Sequence, residues 1–344
     1  MIGRWNGQDM NALRNQIPRY LLTFLTLSWF CVSVQAQNNE MCNTPESIDV
    51  NGVSALSWQP NNELIAIAND DIVQVWNLSS FEVETEFIGD SVLIQSLDWS
   101  GDGQYLAASG NQIAIWDVQQ EQRLDILPFP EYEGMGIVDW HPNENKLLFS
   151  RLNYASEDPS GSRFYVFDLD NNQITPIGSP FTSQSIGKWS PDGAFIVIAA
   201  FEILQVYASD SYEKVLQVEL DNASNIHDIA WSFDNTKLAI GVFEIGVGPR
   251  IFVTDIQTGN IIYKISGYEG FIYSIDWHPF TDKLLTGGED KIVRIWDLVR
   301  GEVILFLEEH DESIIEVIWS FDGQTFITAS PNGQVLLWDA CNLL

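Results

Sequence analysis

The stretch that decides the fold is FIYSIDWHPFTDKLLTGGEDKIVRIWDL, residues 271–298. Apolar and polar residues alternate up to Trp277, the turn-forming segment HPFTD follows, and two further apolar stretches end at Trp296-Asp297. Alternation with a period of two is typical of a half-buried strand, and a short segment with Pro, Thr and Asp favours a tight connection. The stretch therefore predicts β-strands joined by hairpins.

The same pattern occurs seven times along the chain. The Trp residue that ends the first strand recurs at positions 58, 99, 140, 189, 231, 277 and 319, with spacings of 41, 41, 49, 42, 46 and 42 residues. A turn sequence follows each Trp, for example SGDGQ at 100–104 and SPDGA at 190–194. A fourth strand follows in the first six units, as in FEVETEF at 81–87, where apolar and acidic residues alternate.

Four strands of this length cannot cover both faces of their own sheet, so neighbouring units must stack. A closed ring buries every sheet against two neighbours. No useful helical periodicity occurs after residue 40. The sequence therefore predicts an all-β chain, a seven-bladed β-propeller of four-stranded antiparallel blades.

These repeats resemble the WD40-repeat β-propellers, whose units run about 40–45 residues and end in Trp-Asp. Three such pairs occur here, at Trp116-Asp117, Trp296-Asp297 and Trp338-Asp339. The resemblance covers residues 43–344 and implies a protein-interaction scaffold. The Gly-His pair of the family is Gly267-Tyr268 in one unit, and only His310 retains the His. We therefore expect the side-chain network built on that His to be mostly missing.

The last unit lacks its own fourth strand, because only five residues follow Asp339. Residues 44–50 have the length to supply that strand, and the family resemblance implies such a closure. In that arrangement Cys42 would lie beside Cys341, which predicts a disulfide; two free buried thiols are the alternative. A bridge that closes a loop of this size would restrict the unfolded chain by about 4–5 kcal/mol.

Composition limits the classes of function. The chain has 16 Lys plus Arg against 48 Asp plus Glu, a formal net charge of -32, which argues against nucleic acid or an anionic membrane surface as a partner. Only 4 His and 3 Cys are present, whereas Trp, Phe and Tyr are abundant. The chain is therefore rich in packing residues and poor in those that usually perform catalysis.

The N-terminal residues resemble a secretory signal. Basic residues precede an apolar run over 20–34, and Val34-Gln35-Ala36 gives the small residues of a cleavage site. The run is shorter than the roughly 20 residues that span a bilayer. We predict a signal peptide at 1–36, a short segment at 37–42 and the propeller at 43–344. The expected location is secreted or periplasmic, with N-terminal membrane anchoring as the alternative.

The two longer units place extra residues between their second and third strands, at 151–163 and 243–250. Those connections and the ones that enter each first strand must lie on one face of the ring. Aromatic and Arg side chains concentrate binding energy in interfaces. The candidate partner-binding residues on this face are Tyr132, Arg151, Tyr154, Arg163, Phe243, Arg250, Tyr268, Phe271, Lys291 and His310.

No catalytic constellation, cofactor motif or metal cluster is visible in the sequence. The segment Asp168-x-Asp170-x-Asn172 begins like a calcium loop, but Gln173 and Ser179 occupy the positions where Gly and Glu are needed. We therefore predict a noncatalytic, exported, monomeric interaction platform without a cofactor. The alternatives are an extracellular small-ligand or carbohydrate receptor and a propeller hydrolase that uses acids of the central channel.

Overall fold

A computed structural model describes residues 45–89, 93–124, 134–152, 162–181 and 185–340 of the chain. All of these residues belong to one compact unit, Pro45–Leu344. Within them every regular element is a β-strand. Cys42 and Cys341 lie outside the described residues, so the disulfide remains a prediction.

Twenty-eight strands form seven four-stranded antiparallel sheets, which are the blades. Blade 1 contains β2 (Ala55–Trp58), β3 (Leu64–Asn69), β4 (Ile72–Asn77) and β5 (Glu82–Ile88). Blade 2 contains β6 (Ser96–Trp99), β7 (Tyr105–Ser109), β8 (Ile113–Asp117) and β9 (Gln122–Arg123). Blade 3 contains β10 (Gly134–Trp140), β11 (Lys146–Leu152), β12 (Ser162–Asp168) and β13 (Gln173–Phe181).

Blade 4 contains β14 (Ser185–Trp189), β15 (Phe195–Ala200), β16 (Ile203–Ala208) and β17 (Lys214–Glu219). Blade 5 contains β18 (Ala223–Trp231), β19 (Lys237–Glu244), β20 (Gly248–Asp255) and β21 (Ile261–Ile265). Blade 6 contains β22 (Ile272–Trp277), β23 (Lys283–Gly288), β24 (Val293–Asp297) and β25 (Glu302–Leu307). Blade 7 contains β26 (Glu316–Trp319), β27 (Thr325–Ala329), β28 (Gln334–Asp339) and β1 (Glu46–Asp49). The predicted fold class is confirmed.

The N-terminal strand β1 closes the ring as the outer strand of blade 7. It runs antiparallel to β28, with Glu46 opposite Leu337 and Asp49 opposite Gln334. Ile48 is the one buried residue of β1, at 3% exposure, and it packs in a cluster with Val53 and Val335. The predicted closure is therefore confirmed.

The core consists of seven apolar clusters, one at each junction between neighbouring blades. The Trp residues that end the first strands, such as Trp58, Trp99 and Trp140, are buried in these clusters. Trp76 and Trp296 are half-buried and pack against the same cores. Because each cluster draws on two blades, no blade has a complete core of its own, which is the reason for the ring.

The turn after the first strand has one hydrogen-bond pattern in several blades. In blade 4, Ser190 Oγ donates to Asp192 Oδ1 at 2.6 Å, and the backbone N–H of Phe195 donates to Ser190 Oγ. Gly193 takes the left-handed conformation that the turn requires, with φ of 75°. The Trp-Ser-x-Asp sequence thus specifies its own turn. Among the described residues, no helix long and apolar enough to cross a membrane is present.

Candidate functional site

The ring has two distinct faces. We call the end that carries the connections between second and third strands, and those that lead into each first strand, the insertion face. The other end is the opposite face. The first strands surround a central channel of about 730 Å³, and all seven contribute lining residues. The described ends of the blade 3 connection and the whole blade 5 connection lie at the insertion face.

The connection in blade 5 is an extended hairpin of β19 and β20. Phe243 pairs with Pro249, and Glu244 pairs with Gly248, so most of the inserted residues prolong the two strands. A short turn over 245–247 remains at the tip. Ile245 and Val247 in that turn are 63% and 56% exposed. The insertion therefore presents two aliphatic side chains on a rigid support.

An aromatic cluster lies beneath the base of this hairpin. The ring of Phe271 lies 5.4 Å from Phe243, 4.9 Å from His227 and 6.4 Å from Tyr273. His227 and Tyr273 also line the channel. Burial lowers the pKa of His227, so the imidazole is neutral near pH 7. The cluster connects the insertion face to the channel mouth through aromatic, uncharged side chains.

Glu244 forms ion pairs with two basic residues near the hairpin. Its carboxylate lies 3.1 Å from Arg250 Nε and 3.3 Å from Lys264 Nζ. On blade 6, the ammonium group of Lys291 donates to the backbone oxygen of Asp311. The charge of Arg250 is therefore partly neutralised, whereas Lys291 is held by a carbonyl oxygen. The hairpin tip itself contributes apolar area.

The first insertion is described only at its two ends. Arg151 in β11 lies directly opposite Arg163 in β12. Arg163 Nε is buried and has no hydrogen-bond acceptor among the described residues. Tyr132 and Tyr154 lie outside the described residues. The structure thus brings two of these four predicted residues together across one strand pair.

Tyr268 braces blade 6 from within. Its hydroxyl accepts a hydrogen bond from Trp296 Nε1 at 2.7 Å and donates to Thr286 Oγ1 at 3.1 Å. The guanidinium of Arg294 lies 4.8 Å from the centre of the Tyr268 ring. Tyr268 therefore stabilises blade 6 internally, in the place of the His-based network that we expected to be missing from this blade.

His310 braces blade 7 in a comparable way. It is 5% exposed, and its Nε2 lies 2.6 Å from Thr328 Oγ1. Its Nδ1 lies 2.8 Å from Ser330 Oγ, while Trp338 Nε1 donates to Thr328 Oγ1. Because both ring nitrogens have internal partners, His310 contributes little surface to the insertion face.

The wall of the channel contains carboxylates that join neighbouring blades, a feature that sequence reasoning missed. Asp98 accepts a 2.6 Å hydrogen bond from the backbone N–H of Trp140, and Asp139 accepts one from Trp189. The available signal was the Asp immediately before Trp in several repeats. Each carboxylate links the end of its own first strand to the first strand of the next blade.

One lysine, Lys188, pairs with a carboxylate of the channel wall. Lys188 Nζ lies 2.9 Å from Asp228 Oδ1, and Asp228 Oδ2 accepts from the backbone N–H of Ile275. Burial disfavours the charged amine, but the carboxylate of Asp228 outweighs that effect and raises the pKa of Lys188. The channel carboxylates thus have structural partners, which favours a bracing role over acid–base catalysis.

Burial raises the pKa values of several of these acids. The pKa of Asp98 rises to about 6, that of Asp276 to about 7 and that of Glu316 to about 8. The pKa of Asp139 is raised well above its usual range, first by burial and then by the charge of Asp98. In each case the protein disfavours the ionised form because water is largely excluded.

These shifts predict that the propeller is more stable at pH 6.5 than at pH 8.5. Between these values folded Glu316 and Asp276 lose protons that the unfolded chain has already released, so the free energy of unfolding falls as pH rises. Below pH 6.5 the buried histidines His278 and His310 oppose this trend, because burial lowers their pKa values to about 4 and the unfolded chain then binds protons that they do not. Thermal unfolding at constant ionic strength should show a melting temperature at least about 2 °C higher at pH 6.5.

The matched variant is Glu316→Gln, which keeps an acceptor for Ser274 Oγ, the 3.3 Å hydrogen-bond donor to Glu316. It removes the titration of Glu316 and should reduce the difference in melting temperature between the two pH values. An unchanged difference in this variant would contradict the assignment to Glu316.

No group of three or more His, Cys, Asp or Glu residues in the described part of the chain is placed to hold a metal ion. In the segment considered as a calcium loop, Asp168 accepts from the backbone and side-chain amides of Asn171, and Asp170 accepts from Asn145. The carboxylates there stabilise the turn between β12 and β13.

The family "WD domain, G-beta repeat" matches residues 47–77, 82–117, 259–297 and 301–339. Each of the last three segments starts at or just before the outer strand of one blade. It ends with the third strand of the next blade. The sequence repeat is therefore out of phase with the blades, which explains why an N-terminal strand must complete blade 7.

Curated relatives match at low identity. Actin-interacting protein 1 of Drosophila melanogaster is 28% identical over 61% of this chain and 36% of its own length. WD repeat-containing protein 1 of Bos taurus is 26% identical over 62% of this chain and 34% of its own length. Such matches span about a third of the relatives' length.

A chain in the structure titled "Crystal Structure of Mitotic Checkpoint Complex" superposes with a TM-score of 0.75 at 20% identity, covering 88% of this chain and 93% of that one. At this identity the likeness concerns the fold. The chain is therefore a seven-bladed β-propeller, and its Trp-Asp strand ends and four matched segments make it similar to the WD40-repeat proteins.

Proposed function

We propose that this propeller is an exported, noncatalytic scaffold that binds a protein partner through the insertion face. The observation that carries the proposal is the rigid β19–β20 hairpin, whose tip exposes Ile245 and Val247. Folding alone does not require two aliphatic side chains in a solvent-exposed turn. Exposed apolar side chains that are grouped on a rigid support are typical of interaction sites.

Residues around the hairpin also favour this face as the binding surface. Phe201, in the corresponding turn of blade 4, is 56% exposed on the same face. Phe243 and Phe271 continue the apolar surface toward the channel, and Arg250 is the predicted basic residue that lies within the hairpin. Aromatic side chains and Arg provide much of the binding energy in protein interfaces.

The relatives agree with an interaction role. One is named as an actin-interacting protein, and the structurally similar chain belongs to a protein complex. Propellers host many functions, so the partner of this chain must be found from its own surface. The signal-like residues 20–36 support export as part of the proposal.

The test compares the wild-type protein with the double variant Ile245→Ser/Val247→Ser. Both side chains are exposed, so we expect the variant to keep its melting temperature, since such surface changes usually alter stability by less than about 0.5 kcal/mol. Partners are captured by crosslinking from the extracellular or envelope fraction of the source. The double variant should bind a recovered partner at least about tenfold more weakly.

The matched control is Val215→Ser, which removes a 54% exposed aliphatic side chain from the outer strand of blade 4. It should recover the same partner as the wild type. If the double variant and the wild type capture the same proteins with equal affinity, the insertion face is not the binding surface. Turnover of glycosides, esters or peptides, or stabilisation by a small ligand, would instead support one of the alternatives.

A further inference from the structure

Three consecutive blades expose a phenylalanine on the opposite face. Phe233, Phe280 and Phe321 lie in the turns between the first and second strands of blades 5, 6 and 7. They are 38%, 61% and 50% exposed. These turns lie away from the insertion face, so the three rings have no role in the function proposed above.

The turns themselves do not require phenylalanine. In blade 4 the sequence Trp-Ser-Pro-Asp has Pro191 where blade 5 has Phe233. The two turns share their hydrogen bonds, because Ser232 Oγ donates to Asp234 Oδ1 at 2.6 Å just as Ser190 Oγ does to Asp192. Proline favours such a turn through its fixed φ, whereas phenylalanine offers no comparable preference. Folding therefore leaves the rings of Phe233 and Phe321 unexplained, while among the described residues the Phe280 ring makes only an edge contact to His278 at 6.1 Å.

Contacts between neighbouring turns fix the three rings in one arc. Lys237 Nζ lies 3.4 Å from Asp234 and 3.2 Å from Asp282, which ties the turn of blade 5 to that of blade 6. The His278 ring packs edge-on against Trp319 at 4.8 Å and so ties blade 6 to blade 7. The turns that carry the three rings are thus held side by side along consecutive blades.

A fourth apolar side chain extends this surface. Val299, in the turn between the third and fourth strands of blade 6, is 78% exposed. The backbone N–H of its neighbour Leu298 donates to the backbone oxygen of Asp282 at 2.9 Å, which attaches this turn to the one that carries Phe280. We call Phe233, Phe280, Val299 and Phe321 the phenylalanine arc.

The phenylalanine arc is set among fixed carboxylates. Asp234 and Asp322 each follow a phenylalanine directly, and each accepts a serine hydroxyl within its turn. Hydrogen bonds to Ser232 and Thr236 outweigh burial and lower the pKa of Asp234 to about 2, so it is ionised at physiological pH. Within the described residues, no Lys or Arg lies within ion-pair distance of Asp322.

The turns of these three blades on the opposite face carry an excess of negative charge. These turns and the adjoining strand ends contain seven carboxylates and three basic residues. The carboxylates are Asp234, Asp255, Asp282, Asp297, Glu302, Asp322 and Asp339, and the basic residues are Lys237, Lys283 and Arg300. A partner that covers the arc must therefore combine positive charge with the ability to lie on aromatic rings.

We infer that the phenylalanine arc binds an arginine-bearing segment of a protein partner. A guanidinium group stacks on aromatic faces and pairs with carboxylates in the same plane, which a lysine ammonium does less well. This protein already uses the first of these contacts, in the stacking of Arg294 on Tyr268. The surface is separate from the insertion face, so either surface can be tested without the other.

The experiment measures binding of a ten-residue peptide of alternating Gly and Arg by isothermal titration calorimetry. The wild-type protein is compared with Phe233→Pro/Phe280→Asn/Phe321→Ser. Pro is the residue of blade 4 at the first position, and Asn is that of blade 3 at the second, where Asn143 makes the same 3.1 Å contact to a His ring nitrogen as Phe280. Ser at the third keeps the backbone N–H that donates to Asn62.

This triple variant removes the rings and leaves every charge in place. Non-specific attraction to an acidic protein is therefore equal in the two proteins, and any difference reports on the arc. We expect the triple variant to bind the arginine peptide about tenfold more weakly or worse. We also expect the wild type to bind a matched Gly and Lys peptide more weakly than the Gly and Arg peptide.

Three results would overturn the inference. Equal affinity of the wild type and a folded triple variant for the arginine peptide would exclude the rings from binding. No measurable binding by the wild type would exclude the surface for this class of partner. Equal affinity for the lysine and arginine peptides would reject arginine as the recognised side chain. Melting temperatures of both proteins establish that the variant is folded.

Discussion

Replacing Ile48 by Asp is expected to lower the free energy of unfolding by about 3–5 kcal/mol. Ile48 is the buried side chain of β1 and packs across from Val335 in the junction of blades 7 and 1. The substitution removes an apolar group from that cluster and places a carboxylate there without a partner. Because β1 closes the ring, its loss also exposes β28. Urea unfolding followed by tryptophan fluorescence measures the change.

The control is Ser47→Asp on the same strand. Ser47 is exposed beside Ile48, so the same charge at this position should change the free energy of unfolding by less than about 0.5 kcal/mol. Equal effects of the two variants would mean that β1 does not close the ring through the buried face of Ile48.

Replacing Arg294 by Met is expected to cost about 3–5 kcal/mol, because it leaves a buried charge without its partner. Arg294 Nη1 lies 2.8 Å from Asp290 Oδ2, and the two side chains are 5% and 7% exposed. The guanidinium also packs over Tyr268 and near Phe306. Met retains much of the apolar volume, so the loss reports mainly on the uncompensated carboxylate. Chemical denaturation of the purified variant measures it.

A double variant separates the charge from the packing. In Asp290→Asn/Arg294→Met the remaining amide is neutral and can still accept from the backbone N–H of Ile292, as Asp290 does at 3.2 Å. We expect it to recover most of the stability lost in the single variant. If the double variant is as unstable as Arg294→Met, the packing of the guanidinium rather than the ion pair stabilises blade 6.

Several features of the candidate site depend on partners that are distant in sequence. Tyr268 was predicted to bind a partner, but its hydroxyl bonds to Trp296 and Thr286 inside blade 6. The Asp98 and Asp139 carboxylates bond to backbone groups 42 and 50 residues further along the chain. The Asp-Trp pairs mark these acids in the sequence, but only the closed ring shows that each meets the backbone of the next blade's Trp.

The hairpin tip and the phenylalanine arc show a second limit of sequence reasoning. Ile245 reads as an ordinary apolar residue after a strand, and only the extension of β19 and β20 beyond the other hairpins makes it exposed. Phe233, Phe280 and Phe321 are separated by more than forty residues and become one surface only because consecutive blades are neighbours.

The sequence by itself determined the number of blades, the order of strands and the strand that closes the ring. It could do so because each blade repeats one local pattern of alternation and turn residues, with a period that the Trp positions mark. The tertiary structure alone decided which polar side chains brace the blades and which apolar ones remain exposed. The physical reason is that burial and hydrogen bonding depend on contacts between blades, which are formed only when the ring closes.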